Sequence, residues 1–486
     1  MPRPVWGNKP HEDLSLEVSQ DAKVVASPSQ STLGISLHVY AADLARRAGE
    51  VYRAESERSR AQRDAVTAFT VRVASAGILY LSQVVLARWM GGYEYGIYVF
   101  VWTWVLVLSG LSHLGLPTAM IRLLPEYLQR GEHGLLRGLL LGGRAVAVLA
   151  GTAVACAALA LLWLIGDRLN SHYVLPVYLA LACVPLCALS DVQDGIGRGR
   201  GWMMVGLMPP YILRPLLLLG CMTAAHLLGL PTEAGTAAGA AVVATWVAAL
   251  VQMLLVERRF GREIDKPSRR YDCKRWFRVA LPLMAIAVCD IALQNADVLI
   301  VSAYLSPTEV GMYFAAAKTM SLIMFIHYAV GSAVANHFSA LKARGDHESL
   351  EALVRDAVNW TFWPSLIAAV AILALGKPLL WLFSPQYTAA YPVMFVLAIG
   401  FLARASMGPA EFILNMLGEQ QLCALVLVVS AVLDVALSFA LVPVFGMLGA
   451  AVATSVALIT AAVMNYAVAR RRLELEISIW NSSRAR

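Results

Sequence analysis

The sequence predicts an all-α polytopic membrane protein, with about twelve transmembrane helices in two parallel-repeat six-helix lobes around a central cavity. Three observations predict it. First, of 486 residues 59% are hydrophobic and only 15% charged, with a mean hydropathy of +0.64; a soluble protein carries ~25% charge. Second, the apolar residues come in blocks of roughly 20, the length that crosses a bilayer as a helix. Third, motifs recur in order at nearly constant spacing. Glu94-Tyr95-Gly96-Ile97-Tyr98 returns as Glu309-Val310-Gly311-Met312-Tyr313, 215 positions later. Arg130-Gly131-Glu132-His133 returns as Arg344-Gly345-Asp346-His347, 214 positions later. GTAAGAAVVAT (Gly235 to Thr245) is echoed by GMLGAAVAT (Gly446 to Thr454). One match would be chance; three in order indicate a duplicated unit of roughly 200 residues.

Residues 1–65 read as a polar cytoplasmic N-terminal tail. Its start lacks the apolar stretch of a signal peptide. From Ala41 to Arg63 it turns helical and Arg-rich, either as a solvated helix or as a headgroup-contacting tail. Twelve spans follow, at approximately 66–89, 94–117, 138–166, 173–193, 203–229 and 235–256, then 279–305, 309–337, 352–375, 391–412, 421–443 and 446–469. They form an N-lobe (66–256) and a C-lobe (279–470), joined by a basic linker (257–278) and followed by a C-terminal tail (471–486). Lys and Arg gather on one side of the spans: Arg122, Arg130, Arg137, Arg198, Arg200, the linker, Lys342, Arg344, Arg355 and Arg470 to Arg472. The opposite loops hold little beyond Arg168 and Lys377. The positive-inside rule then places both termini in the cytoplasm. Six spans per half is an even number, so both halves insert the same way round.

A charge in the bilayer costs at least ~2.5–3.5 kcal/mol on insertion scales, so each needs a partner or a wet cavity. At ~1.5 Å of rise per residue, Lys318 lies ~15 Å from the far face, near the midplane. Ser321, Leu322, Phe325, Ala329, Ser332 and Asn336 share its face as a small, partly polar stripe. The preceding span carries Asp290, Gln294 and Asp297, with Asp297 at a similar depth. Two readings stand: a buried Lys318–Asp297 pair that fixes helix packing, or a substrate-holding cation beside an acid that takes part in ion coupling. Arg404, Glu411 and Asn415 make a second stripe. In the first half Arg144 and Arg214 lie well inside their spans. Arg214 sits in PPYILRP, whose prolines loosen the helix. Arg122 lies near a span's end, where it either holds substrate or snorkels to headgroups. Asp194 and Arg198 suit an intrahelical pair with Asp191 nearby. Asp434 reads as lone and buried, His327 and His337 as satisfied packing residues. Together Arg144, Arg214, Lys318 and Arg404 give a cationic interior, which suits an anionic passenger such as a phosphate or pyrophosphate.

Three motifs carry a family resemblance. ARWMGGYEYGIY (Ala87 to Tyr98) resembles the turn between the first two helices of polysaccharide transporters. GLPTAMIR (Gly115 to Arg122) resembles the end of their second helix, and LVPVFGMLGAAVATSVA (Leu441 to Ala457) their closing helix pair. Over roughly residues 66–470 the chain thus resembles the O-antigen and exopolysaccharide flippases of the multidrug/oligosaccharidyl-lipid/polysaccharide exporter superfamily. The resemblance implies a bacterial inner-membrane protein of surface polysaccharide biosynthesis. It would move polyprenyl-pyrophosphate-linked oligosaccharides from the cytoplasmic to the outer leaflet by alternating access, coupled to an ion gradient. By position Lys318 and Arg122 look like the family's cavity cations; Arg144, Arg214 and Arg404 rest on the charge argument alone. Asp290, Asp297 and Glu411 are the candidates for coupling to H+ or Na+. No other cofactor and no metal is expected. The implied partners are the lipid-linked oligosaccharide, membrane lipids, and polysaccharide polymerase and export machinery. The long polar head departs from the family's short N-terminus.

Other classes fare worse. The net charge of +7 comes from basic residues at the ends of apolar blocks, which is a topology signal and argues against a nucleic-acid partner. Seven cysteines lie mostly inside apolar runs with no CxxC pair, so neither a disulfide set nor a metal site is implied. The far-side loops are too short for a catalytic domain, and no GxxxxGK[ST] motif is present to use ATP; the chain is not expected to be an enzyme. Two alternatives remain. A multidrug or cation exporter of the same superfamily would use Asp290, Asp297 and Glu411 as an acidic pocket. A lipid II flippase is nearer in chemistry but usually has fourteen helices.

Overall fold

The structure, a computed structural model, describes residues 57–165, 171–263 and 268–479. The polar head up to residue 56 and Arg168 lie outside the described residues. The chain divides into two compact units, Met1–Arg60 and Ala61–Arg486, and the membrane helices belong to the second. The described residues contain no strand. Apolar blocks this long can satisfy their backbone groups in lipid only as helices.

The helices are α1 (Glu57–Ser112), α2 (Leu116–Gln129), α3 (His133–Ile165), α4 (Ser171–Leu181), α5 (Val184–Gly199) and α6 (Met203–Met208). A π-turn at Pro209–Leu213 leads into α7 (Arg214–Leu227), followed by α8 (Ala234–Glu263). The second half holds α9 (Cys273–Tyr304), α10 (Pro307–Ser321), α11 (Met324–Arg344), α12 (His347–Ala374) and α13 (Gly376–Phe383). A 3-10 turn at Pro385–Ala390 precedes α14 (Tyr391–Ala405), α15 (Ala410–Met416), α16 (Gln420–Phe445) and α17 (Met447–Arg472). Among the described residues ten helices are long and apolar enough to cross a membrane, and eleven if the bent pair α4–α5 is one span. The apolar part of α1 alone runs 40 residues, Val73–Ser112. That is ~60 Å, twice the hydrocarbon thickness. It breaks at Gly91, whose φ of 77° and ψ of 166° are not helical. Counting it as two spans gives the twelve that the sequence predicts.

The repeated motifs have physical jobs. Gly131 and Gly345, in the two Arg-Gly-acid-His echoes, both take positive φ, 67° and 69°, and turn one helix into the next. Gly96 and Gly311, in the two Glu-x-Gly-x-Tyr echoes, meet the opposite half. A Cβ on Gly96 would come within 1.6 Å of the Pro307 carbonyl oxygen, and one on Gly311 within 3.2 Å of the Tyr95 ring. Around them Tyr95, Tyr313, Tyr387 and Phe383 are fully buried in one core that draws on both halves. Arg88 adds a clasp, donating to the carbonyls of Leu382 (2.6 Å) and Trp381 (3.1 Å). This is the end away from the basic loops.

At the basic end, α9 lies along α2. Trp276 Nε1–H donates to Tyr127 Oη at 3.0 Å, and Gly115 lets Ala280 approach. Between these contacts and Asp297 no residue of α9 is buried. Its middle is partly exposed, with Ile291 packed against Gly110 of α1.

The spans expected over 309–337 and 391–412 are found as Pro307–Ser339 and Pro385–Met416, each irregular inside. In the first, α10 ends at Ser321, three residues after Lys318, and a tight turn at Leu322 and Ile323 leads into α11. The polar stripe drawn from Ser321 to Asn336 therefore crosses this break between the helices. The 391–412 span is likewise interrupted, between Ala405 and Ala410.

Candidate functional site

The break beside Lys318 is where the interior becomes polar. Leu322 and Ile323 make only tight i→i−3 hydrogen bonds, and Ser321 Oγ donates to the Lys318 carbonyl at 2.8 Å. Lys318 is half-buried, with Nζ 5.2 Å above the Phe314 ring. The direct Lys318–Asp297 pair is not formed. Asp297 Oδ2 instead accepts from Tyr313 Oη at 2.6 Å, and Oδ1 from the Val298 N–H at 2.7 Å. Among the described residues no carboxylate lies within ion-pair distance of Lys318. Besides the Phe314 ring, Asp297 is close enough to be felt but does not touch it. A cation held so costs free energy unless something else meets it.

The first half holds a cation of its own, at a position that is not the repeat counterpart of Lys318. The Pro209–Leu213 π-turn delivers Arg214 at the head of α7, as the loosening prolines suggest. The Arg214 guanidinium lies 5.2 Å over the Trp102 ring. Its near surroundings are Tyr98, the counterpart of Tyr313, and Asp191, which accepts from Ser109 Oγ at 3.2 Å. Asp194 and Arg198 form the expected intrahelical pair at 2.7 Å.

The other cations are differently placed. Arg404 forms an ion pair with Glu411 at 2.5 Å, made possible by the interruption between α14 and α15. Asp290 sits near both and accepts from Gln294 Nε2 at 2.8 Å. So Asp290, Arg404 and Glu411 are brought together, whereas Asp297 stands apart with Tyr313. Arg144, buried on α3, is paired with Glu257 near the end of α8. Arg122 is exposed at the basic end. His327 is not satisfied as expected: it is buried with both ring nitrogens unpartnered, against Tyr328 and Phe412.

Asp434 is not alone. It is completely buried, with both carboxylate oxygens lacking a hydrogen-bond partner. Asp297 lies within electrostatic reach, and Thr454 stands beside both Asp434 and Tyr313 without closing a hydrogen bond of normal geometry. Ser430 and Ser438, one turn either side on α16, are also buried with unpartnered hydroxyls. An all-oxygen cluster of two acids and several hydroxyls can hold a proton or a hard monovalent cation. Among the described residues no group of three or more His, Cys, Asp and Glu side chains is arranged to hold a metal ion.

Comparison with known proteins follows the same lines. The chain matches the family model described as polysaccharide biosynthesis protein over residues 62–341, and the one described as lipid II flippase MurJ over residues 212–484. It is 22% identical over 400 residues to a probable low-salt glycan biosynthesis flippase, Agl15, of Haloferax volcanii, covering 81% of this chain and 80% of that protein. The inward-facing conformation of a multidrug resistance MATE transporter of the MOP superfamily aligns with a TM-score of 0.66 at 13% identity, over 84% of this chain and 98% of that one. An outward-facing MATE conformation gives 0.60 at 12% identity, over 90% and 99%. A MOP superfamily transporter from Pyrococcus furiosus, described by a binding pocket of reversed polarity, gives 0.59 at 13% identity, over 86% and 96%. At these identities the structural likeness establishes the fold.

Proposed function

Because the chain belongs to the polysaccharide biosynthesis protein family, and is a flippase or transporter of the MOP superfamily, we propose that its cargo is a polyprenyl-pyrophosphate-linked oligosaccharide. The observation that carries this reading is Lys318, a mid-span cation beside a helix break with no acid in contact. An anionic headgroup supplies the missing charge. Arg214 offers a second cation from the other half, again over an aromatic face. Arg404 and Arg144 already have acids, so their part is to shape the interior. The two halves act as lobes that rock about the junction at Gly96 and Gly311 while the polyprenyl tail stays in lipid.

The basic end faces the cytoplasm, by the positive-inside rule, and the membrane is the inner one. Cargo is taken from the cytoplasmic leaflet and released in the outer, where polymerase and export machinery would use it. Asp297 and Asp434 bind the coupling proton or sodium ion, since both are buried and Asp434 has no partner of its own. Asp290 and Glu411 then serve Arg404.

The test is replacement of Lys318 in the host. Lys318→Glu abolishes surface polymer while the protein still inserts at normal levels, and Lys318→Arg retains export. Normal export by Lys318→Glu removes the assignment. The match to the lipid II flippase model over 212–484 favours a second reading, in which the same site carries lipid II. Accumulation of lipid II, with lipid-linked repeat units at their normal level on depletion, would select it.

A further inference from the structure

At the basic end, α2 and the first turns of α9 enclose a cavity of about 510 Å3. Its charged lining is Arg122 and Glu126 on one side, and Asp272, Lys274, Arg275 and Arg278 on the other. Both acids are already engaged. Glu126 Oε1 accepts from Arg275 Nη2 at 2.7 Å and is paired with Arg130 at 2.9 Å. Asp272 Oδ1 caps α9 by accepting from the Arg275 backbone N–H at 3.2 Å. Arg122, Lys274 and Arg278 have no ion pair among the described residues. Three exposed cations with no acid among the described residues thus line one concave site, at the positive end of the dipole of a 32-residue helix.

Two further features say where that site stands. The Trp276–Tyr127 hydrogen bond lies beside it, with Tyr271 edge-on to Trp276 at 6.2 Å between ring centres. Trp276 and Tyr127 are buried behind the site, whereas Tyr271 is exposed, as a tyrosine at the headgroup level of a bilayer is. The site also lies where the two sequence halves meet, next to the unburied middle of α9. Arg122, placed by the sequence among the substrate cations, belongs to this outer site.

We propose that this cavity binds the phosphate group of a lipid in the leaflet at the basic end, ahead of the central site. Guanidinium and ammonium groups without acids match phosphate oxygens, the two arginines in bidentate fashion. Two lipids carry that chemistry: a polyprenyl pyrophosphate and an anionic phospholipid. Only the first source rests on the flippase reading.

The test uses the full chain in phosphatidylcholine nanodiscs, titrated separately with undecaprenyl pyrophosphate and with phosphatidylglycerol. The double variant Lys274→Gln/Arg278→Gln is compared with the wild type, with Lys274→Arg/Arg278→Lys and with the interior variant Lys318→Gln. Loss of charge weakens binding at this site about tenfold or more, and the charge-conserving variant restores it. Loss confined to the pyrophosphate marks a site on the cargo's path; loss confined to phosphatidylglycerol marks a phospholipid site; loss of both marks a general phosphate site. Unchanged binding of both lipids overturns the proposal. If the double variant loses lipid binding but Lys318→Gln still exports polymer in the host, this site stands and the interior assignment falls.

Discussion

Asp297 and Lys318 show why pairing by depth is not pairing by contact. The sequence puts them at one level on neighbouring helices, and they do feel each other. Yet Tyr313, from the repeated Glu-x-Gly-x-Tyr motif, takes the carboxylate. The sequence offered no way to choose between hydroxyl and ammonium, since both lie within a helix turn or two. Arg404 and Glu411 were legible as a stripe, but their pairing depends on the interruption at 405–410. Arg144 meets Glu257 across 113 positions, and Asp434 comes within electrostatic reach of Asp297, also distant in sequence; such neighbours are set by packing alone. Two predictions belong here. Asp434→Asn and Asp297→Asn each abolish gradient-driven transport in proteoliposomes while leaving undecaprenyl pyrophosphate binding within about threefold of wild type, so a large loss of binding would move these acids into the cargo site. Arg404→Ala strands Glu411 and destabilises the protein by about 3–5 kcal/mol, whereas the double variant with Glu411→Ala recovers most of that; thermal unfolding in detergent reads the difference.

Among the elements, most helices were readable because length and hydropathy decide them. The breaks were not, except where proline announces one, as before Arg214. The Ser321–Ile323 break contains neither Pro nor Gly, so nothing local marked it. The glycines at the far end were visible as a repeat, but their purpose was not: Gly96 has no room for a side chain against Pro307. Gly96→Ala therefore forces the two halves apart at that end. Spin labels at Tyr93 and Thr388 should report a longer mean distance in this variant; an unchanged distance would mean that the contact does not hold the end closed. At the other end of the repeat, Asp346 caps α12 by accepting from the Ser349 N–H at 3.0 Å. Hydrogen bonding to Ser349 holds its carboxyl below the usual carboxylate range. The cap is thus present above the ordinary Asp pKa and weakens as pH falls through the lowered one. Asp346→Asn, a good cap without charge, should remove that acid sensitivity, seen as hydrogen exchange in the first turn of α12.

For the whole molecule, the duplication read from three short echoes explains the matched features of the halves. Each half carries an αL glycine turn and a contact glycine at the far end; the two cations, Arg214 and Lys318, are not equivalent in the repeat, since the counterpart of Lys318 is Thr103. A cation over an aromatic ring in each half fits a cargo that touches both, and the membrane class, the span number and the family all followed from composition and motifs. The cargo did not, because no short motif in the sequence reports which group the interior cations meet. The most direct measurement is deletion of the gene in its host, with surface polysaccharide and lipid-linked oligosaccharide followed together and the wild type and Lys318→Glu supplied back. The account predicts lost polymer with precursor accumulated on the inner leaflet, rescue by the wild type, and none by Lys318→Glu at equal expression. Normal polysaccharide in the deletion, with raised sensitivity to cationic toxic compounds, would contradict it and turn Asp290, Asp297 and Glu411 into the binding residues of an exporter.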